Sequence, residues 1–180
     1  MNETNILYSK EGLNFEKISK NNYNLNFNVS NKNIILEKII DINLIKLIYD
    51  LNNDIYEKII IDKLNENESK VVILIKNLFE DLGFSQKFYY VHIKKIEDNN
   101  KIIFLSNSLK ERPEGIPDDS EKIIIEKMTC ECIILNPHEI RFNLYVTLDE
   151  KSIIPLFIEK IVSLMIFKIF KRLKQFIEKL

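Results

Sequence analysis

The sequence predicts an α+β chain, one antiparallel sheet with a long helix laid against one of its faces. Three observations predict it. "NNYNLNFNVS" alternates strictly, with Tyr23, Leu25, Phe27 and Val29 on one side and the asparagines and Ser30 on the other, which is the period of a half-buried strand. Short segments rich in Ile, Val, Phe and Tyr then follow one another between turn residues, the pattern of successive hairpins. Beyond Ser152 the two-residue period gives way to apolar residues at helical spacing that continue to the end. Strands, short helices, more strands and one closing helix make an α+β order with the helix segregated to one face.

The elements come in order. "NILYSKEGLNFEKI" reads as a strand, a turn at Glu11–Gly12 and a second strand, before the alternating strand above. Asn31 or Asn33 offers a side-chain oxygen to cap the next helical piece. "NIILEKIIDINLIKLIYDL" is helical in two short pieces broken near residues 41–43. "YEKIIIDKL" and "SKVVILIKNLF" are rich in Ile and Val and suit strands, with a helix also open for the second. "KFYYVHIKKI" and "KIIFLSNSL" form a hairpin. "KERPEGIPDDS" holds two prolines and a glycine and is an irregular loop. "EKIIIEKMTCECIIL" and "IRFNLYVTLD" form a second hairpin, and the final helix starts near Ser152 with Pro155 in its first turn.

Composition bounds the function. At 180 residues the chain is expected to be one domain spanning 1–180. Lys+Arg is 26 and Asp+Glu is 27, for a net charge of -1, so no basic excess points to nucleic acid. The two cysteines, Cys130 and Cys132, are too few for a disulfide framework and poorly placed for zinc; they are expected to be core thiols, and no metal or cofactor is implied. The polar start "MNETNILYSKEG" lacks the apolar stretch of a signal peptide, so a reducing, cytoplasmic setting is expected. Glu159, Lys160, Ser163 and Lys168 interrupt the closing helix, which therefore falls short of a membrane span.

That helix is nevertheless more apolar than a surface helix requires. Phe157, Ile161, Leu164 and Met165 make one stripe, and Ile154, Ile158, Val162, Ile166, Ile169 and Leu173 make another. We expect the first stripe to cover the sheet face formed by Ile140, Phe142, Leu144, Val146 and Leu148 together with Met128, Cys130, Cys132 and Ile134, the opposite face being wet. The second stripe is open to several uses: cover by the N-terminal helices, dimerisation, a partner protein, or a lid that touches a membrane.

Taken in order, "LIYDLNNDIYEKIIIDKLNENESKVVI", "GFSQKFYYVHIKKIEDNNKIIFLSNSL", "RPEGIP", "MTCECIILNP" and "EIRFNLYVTLDEKSIIPLFIEKIVSLMIFKIFKRLKQF" together resemble the START lipid-transfer domain family. "LIYDLNNDIYEKIIIDKLNENESKVVI" resembles the family's Trp-Asp helix end and two strands, with Tyr49 in place of Trp and Asp50 matching. In "GFSQKFYYVHIKKIEDNNKIIFLSNSL" Gln86-Lys87-Phe88 stands where the family has Arg-Asp-Phe, so only the aromatic is kept. "RPEGIP" sits at a proline-rich loop, "MTCECIILNP" resembles a strand that often carries Thr-Cys, and "EIRFNLYVTLDEKSIIPLFIEKIVSLMIFKIFKRLKQF" resembles the last strand and lid helix. The likeness runs over nearly the whole chain, lacking the family's helix before the first strand. It implies the helix-grip fold, a curved antiparallel sheet wrapped around the long C-terminal helix, with two short helices near the N-terminus.

It also implies a carrier, not an enzyme, that binds a lipid and transfers it between membranes. The expected lipid is a phospholipid, with a sterol, a ligand-sensing regulatory module and a cyclase-type enzyme as alternatives. The expected cavity lining is Phe88, Tyr90, His92, Met128, Cys130, Cys132, Phe142, Leu144, Val146, Phe157, Ile161, Leu164 and Met165. His92 falls where the family often has an Arg; a histidine there can hydrogen-bond a phosphate or a sterol hydroxyl, or be a core histidine satisfied by backbone. No carboxylate is expected to turn inward, which leaves little for acid–base chemistry. The basic end, Lys168, Lys171, Arg172 and Lys174, either draws the helix to anionic lipid or serves as an ordinary cationic helix terminus.

Overall fold

The structure, a computed structural model, describes residues 5–180; the first residues of the polar N-terminal stretch lie outside that range. Strands β1 (Asn5–Lys10), β2 (Leu13–Lys17) and β3 (Asn22–Ser30) form a meander. Its first turn places Glu11 and Gly12 at φ of 56° and 74°, a left-handed region that glycine enters without the Cβ clash. A 3-10 turn (Leu36–Ile39) and helix α1 (Asn43–Asp50) come next, separated at Asp41, whose carboxylate accepts the Asn43 N–H. Then come β4 (Tyr56–Lys63), β5 (Glu68–Ile75), β6 (Lys87–Asp98), β7 (Lys101–Ser108), the short β8 (Glu121–Lys122), β9 (Ile125–Asn136) and β10 (Glu139–Leu148). Helix α2 (Leu156–Lys179) closes the chain.

One sheet runs through all the strands in the order β1-β2-β3-β10-β9-β7-β6-β5-β4, with β8 pairing parallel to β6 off that path. All other pairs are antiparallel. Register shifts at both ends of the β9–β10 pairing bend the strands there, since a bulge leaves an extra residue on one side. This is the curved sheet and terminal helix that the sequence implies. The backbone of α2 lies close to β1, β2, β3 and α1. Phe27 and Phe142 stack on the inner face with ring centres 4.9 Å apart. Each is nearly fully buried, which stabilises the fold by roughly 1.5–3 kcal/mol per side chain.

Three local expectations are corrected. Asn31 caps neither short helix: its Oδ1 accepts the Asn33 N–H in a turn, and its Nδ2 donates to the Ile177 carbonyl at 2.7 Å near the end of α2. Helix α2 begins at Leu156 rather than Ser152, because Pro155 stands at the N-cap with extended ψ and disfavours helical backbone in the residue before it. Residues Glu150–Ser152 instead make a 3-10 turn held by the Asp149 carboxylate. Finally, the outer face is not wet throughout. Val72, Leu74, Phe88, Tyr90 and Ile116 form a second, smaller core there, beneath the Pro- and Gly-containing loop after β7.

Candidate functional site

The inner side of the sheet is built from aligned rows. One row runs Tyr23–Val146–Met128–Ser106–Ile93–Ser69 across six strands, and the next runs Leu25–Leu144–Cys130–Phe104–Lys95. The flanking row, Phe27–Phe142–Cys132–Ile102, is buried throughout. Met128, Cys130, Leu144 and Val146 are only half-buried, although they belong to central strands and pack on the main core. They lie on the inner face, while the close backbone neighbours of α2 are the strands at one end of the sheet. The expected lining residues Met128, Cys130, Cys132, Phe142, Leu144 and Val146 thus share one face.

Phe88, Tyr90 and His92 do not join them. Phe88 and Tyr90 belong to the smaller outer core, and the guanidinium of Arg112 lies 5.0 Å from the Phe88 ring centre. Nε2 of His92 lies 3.3 Å from Oε2 of Glu68. Their neighbours Tyr89, Val91 and Ile93 pack on the main core instead. "FYYVHI" is apolar at both parities, so alternation could not choose a face; the covering loop, which supplies Ile116, decides it.

The stripes on α2 are also exchanged. Phe157, Ile161 and Leu164 are exposed, together with Leu156. Ile158, Ile169 and Leu173 are buried, while Met165 and Ile166 are half-buried against the main core. The physical reason is that the inward face carries two polar residues whose needs are met internally. The Ser163 hydroxyl donates to the Glu159 carbonyl at 2.6 Å. Lys17 Nζ meets Glu159 Oε1 at 2.5 Å, and the Tyr23 hydroxyl donates to the same oxygen at 3.3 Å. A carboxylate does turn inward, contrary to expectation. Burial, then the Glu159 carboxylate, pushes the Tyr23 phenol up to about 12, so it keeps its proton at neutral pH.

Among the described residues, the inner rows also carry the buried Ser106 and a mostly buried Lys95, whose ammonium pairs with Glu97 at 2.6 Å. Burial raises the Tyr56 phenol to about 12 and holds the neighbouring Tyr89 well above the usual range. Ser69 is fully buried, and its hydroxyl has no partner among the described residues. Cys130 and Cys132 are free thiols; hydrogen bonding to Cys130 and burial hold the Cys132 thiol far above its ordinary pKa, an inert state. Lys17, Tyr23 and Glu159 were missed by sequence reasoning. The available signal was an acid and a serine spaced i, i+4 in a helix apolar almost all round.

The basic end of α2 is engaged internally. Arg172 binds Asp54 through both nitrogens, at 2.5 and 3.2 Å, and Lys168 joins the same carboxylate at 2.6 Å. Lys171 pairs with Glu11 and Lys174 with Glu178. These contacts favour the ordinary helix-terminus reading over attraction to a membrane. No helix among the described residues is long and apolar enough to cross a membrane.

No family model matches the chain, and no curated protein matches it. Solved structures do. The human StarD13 (DLC2) lipid transfer and protein localization domain superposes with a TM-score of 0.72 at 11% identity, covering 100% of this chain and 91% of that one. Human StAR-related lipid transfer protein 5 gives 0.71 at 12% identity, covering 98% and 86%. A STAR-related lipid transfer protein fragment from Xanthomonas axonopodis gives 0.65 at 10% identity, covering 97% and 98%. With superpositions that cover 97–100% of the chain, and a long antiparallel sheet closed by a long C-terminal helix, the chain has the START-like helix-grip fold.

Proposed function

We propose that the chain is a non-enzymatic carrier that encloses a lipid between the sheet and α2 and moves it between membranes. The observation that carries this reading is the half-buried patch of Met128, Cys130, Leu144 and Val146, from two adjacent rows in the middle of the inner face. A solid core would bury those positions first. The fold, shared with proteins whose names include lipid transfer, supports it. A diacyl lipid with about 30 methylenes loses roughly 24 kcal/mol if its chains meet water, at about 0.8 kcal/mol per methylene, so a carrier must enclose them in apolar walls. The inner face supplies such walls.

The exposed stripe of α2 supports contact with a bilayer during exchange. Leu156 is 78% and Phe157 71% exposed, with Ile161 and Leu164 beside them. Phe157 sits 5.8 Å from Phe84 of the β5–β6 connection, where Leu82 is also exposed. An exposed apolar patch of this kind marks an interaction surface. Catalysis finds little support: His92 lies away from the interior, and the inward Glu159 is engaged by Lys17. The family resemblance ties sterol binding to an acid on this strand; β5 presents Ser69, Val71 and Ile73 inward and no acid, which favours a phospholipid.

Native mass spectrometry of protein purified from cells should find a co-purifying lipid, and the protein should move labelled phospholipid between vesicles. Absence of transfer for every lipid class would overturn the reading.

A further inference from the structure

An ion pair lies beneath the N-terminal half of α2. Lys17 on β2 and Tyr23 on β3 are direct cross-strand partners, and the Lys17 ammonium lies 5.8 Å from the Tyr23 ring centre. Glu159 reaches them from the first turn of α2. The Lys17 and Glu159 side chains are only 14% and 9% exposed. Withdrawing both charges from water offsets most of their attraction, so a buried pair adds little stability compared with apolar packing. Its placement between a fixed strand and a covering helix therefore calls for another reason.

The division of parts supplies one. The two donors belong to the sheet and the one anion belongs to the helix. When α2 lifts, Glu159 leaves, and the ammonium and the phenol hydroxyl remain beside Val146 and Met128, in the row that Tyr23 begins. A donor pair left unpaired against an apolar wall is costly until another anion takes the vacated place. A phosphate accepts from ammonium and hydroxyl as a carboxylate does. A phenol ordinarily titrates near 10, so Tyr23 keeps its proton at neutral pH and remains a donor after Glu159 has left.

We infer that Lys17 and Tyr23 form a head-group site for the phosphate of an anionic phospholipid, with Glu159 as the resident anion that the lipid displaces on entry. This rests on the carrier reading and deepens it, since it assigns the class of lipid and couples its arrival to release of α2.

The test uses the full chain incubated with vesicles of equimolar phosphatidylcholine, phosphatidylglycerol and cholesterol, then re-isolated and read by native mass spectrometry. The wild type should be enriched in phosphatidylglycerol. Glu159→Gln, which removes the competing anion, should raise the ratio of bound phosphatidylglycerol to bound phosphatidylcholine several-fold over the wild type. Lys17→Met should abolish the enrichment, and Tyr23→Phe should reduce it. Should either charge variant fail to fold, the double variant Lys17→Met/Glu159→Gln decides: loss of enrichment supports the site and its retention overturns it. Bound lipid whose head-group composition ignores positions 17 and 159 overturns this inference and leaves the carrier intact. No bound lipid in any protein overturns both.

Discussion

Asp54 shows how much one side chain can organise. It receives Arg172 and Lys168 from α2, and their hydrogen bonds hold its carboxyl well below the ordinary carboxylate range. A depressed pKa contributes stability that is present above the unfolded value, 3.8, and is lost as pH falls below it toward the folded pKa. The side chain is 42% exposed, so solvent screening limits the contribution to about 1 kcal/mol. Asp54→Asn should therefore lower the unfolding free energy by about 1 kcal/mol at pH 7, and the gap from wild type should narrow toward pH 2. Urea titrations at both pH values check this. Asn31, buried to 4% exposure, bonds the last turn of α2. Asn31→Ala removes that bond and leaves the Ile177 carbonyl only the long contact from the Leu180 N–H at 3.4 Å, which should cost about 0.5–1.5 kcal/mol and lower the thermal midpoint.

At the scale of elements, α2 presents two apolar surfaces with opposite fates. Phe157→Asp or Leu164→Asp should change stability by no more than about 0.5 kcal/mol, as exposed positions do, while sharply reducing co-sedimentation with vesicles. Ile169→Asp, on the buried side, should unfold the protein. Strands with one wet face were legible: β3 and β10 alternate cleanly, and the structure keeps Ile140, Phe142, Leu144, Val146 and Leu148 with the main core. Where both faces are apolar, periodicity loses its power. That is why the facing of β6 could not be read, for a loop distant in sequence covers one side of it. The same holds for α2, whose Glu159 and Ser163 are polar yet interior. The two-residue β8 lies next to a proline-rich loop, where no hydrophobic period can develop.

For the whole molecule, the decisive quantity is the space between the central strands and α2. Leu144→Phe adds bulk to the middle of the inner face. Against a filled interior it would cost about 1–3 kcal/mol by overpacking. Against a lipid chamber it should leave the thermal midpoint of the empty protein nearly unchanged and lower the amount of lipid carried, which calorimetry and lipid extraction together would establish. The sheet is covered on its outer side near β5 and β6 and gripped on its inner side near β1–β3, so freedom is left chiefly to the helix. That freedom is lopsided. Asp54, Asn31 and Glu11 pin the C-terminal half of α2, whereas Glu159 is the polar tie of its N-terminal half. A rod clamped at one end moves as a lever. From the fulcrum at Arg172 to the tip at Leu156 the arm is about 24 Å, so a swing of about 10° carries the tip roughly 4 Å. A modest pivot at the tethered end is thus amplified at the end that bears the greasy residues.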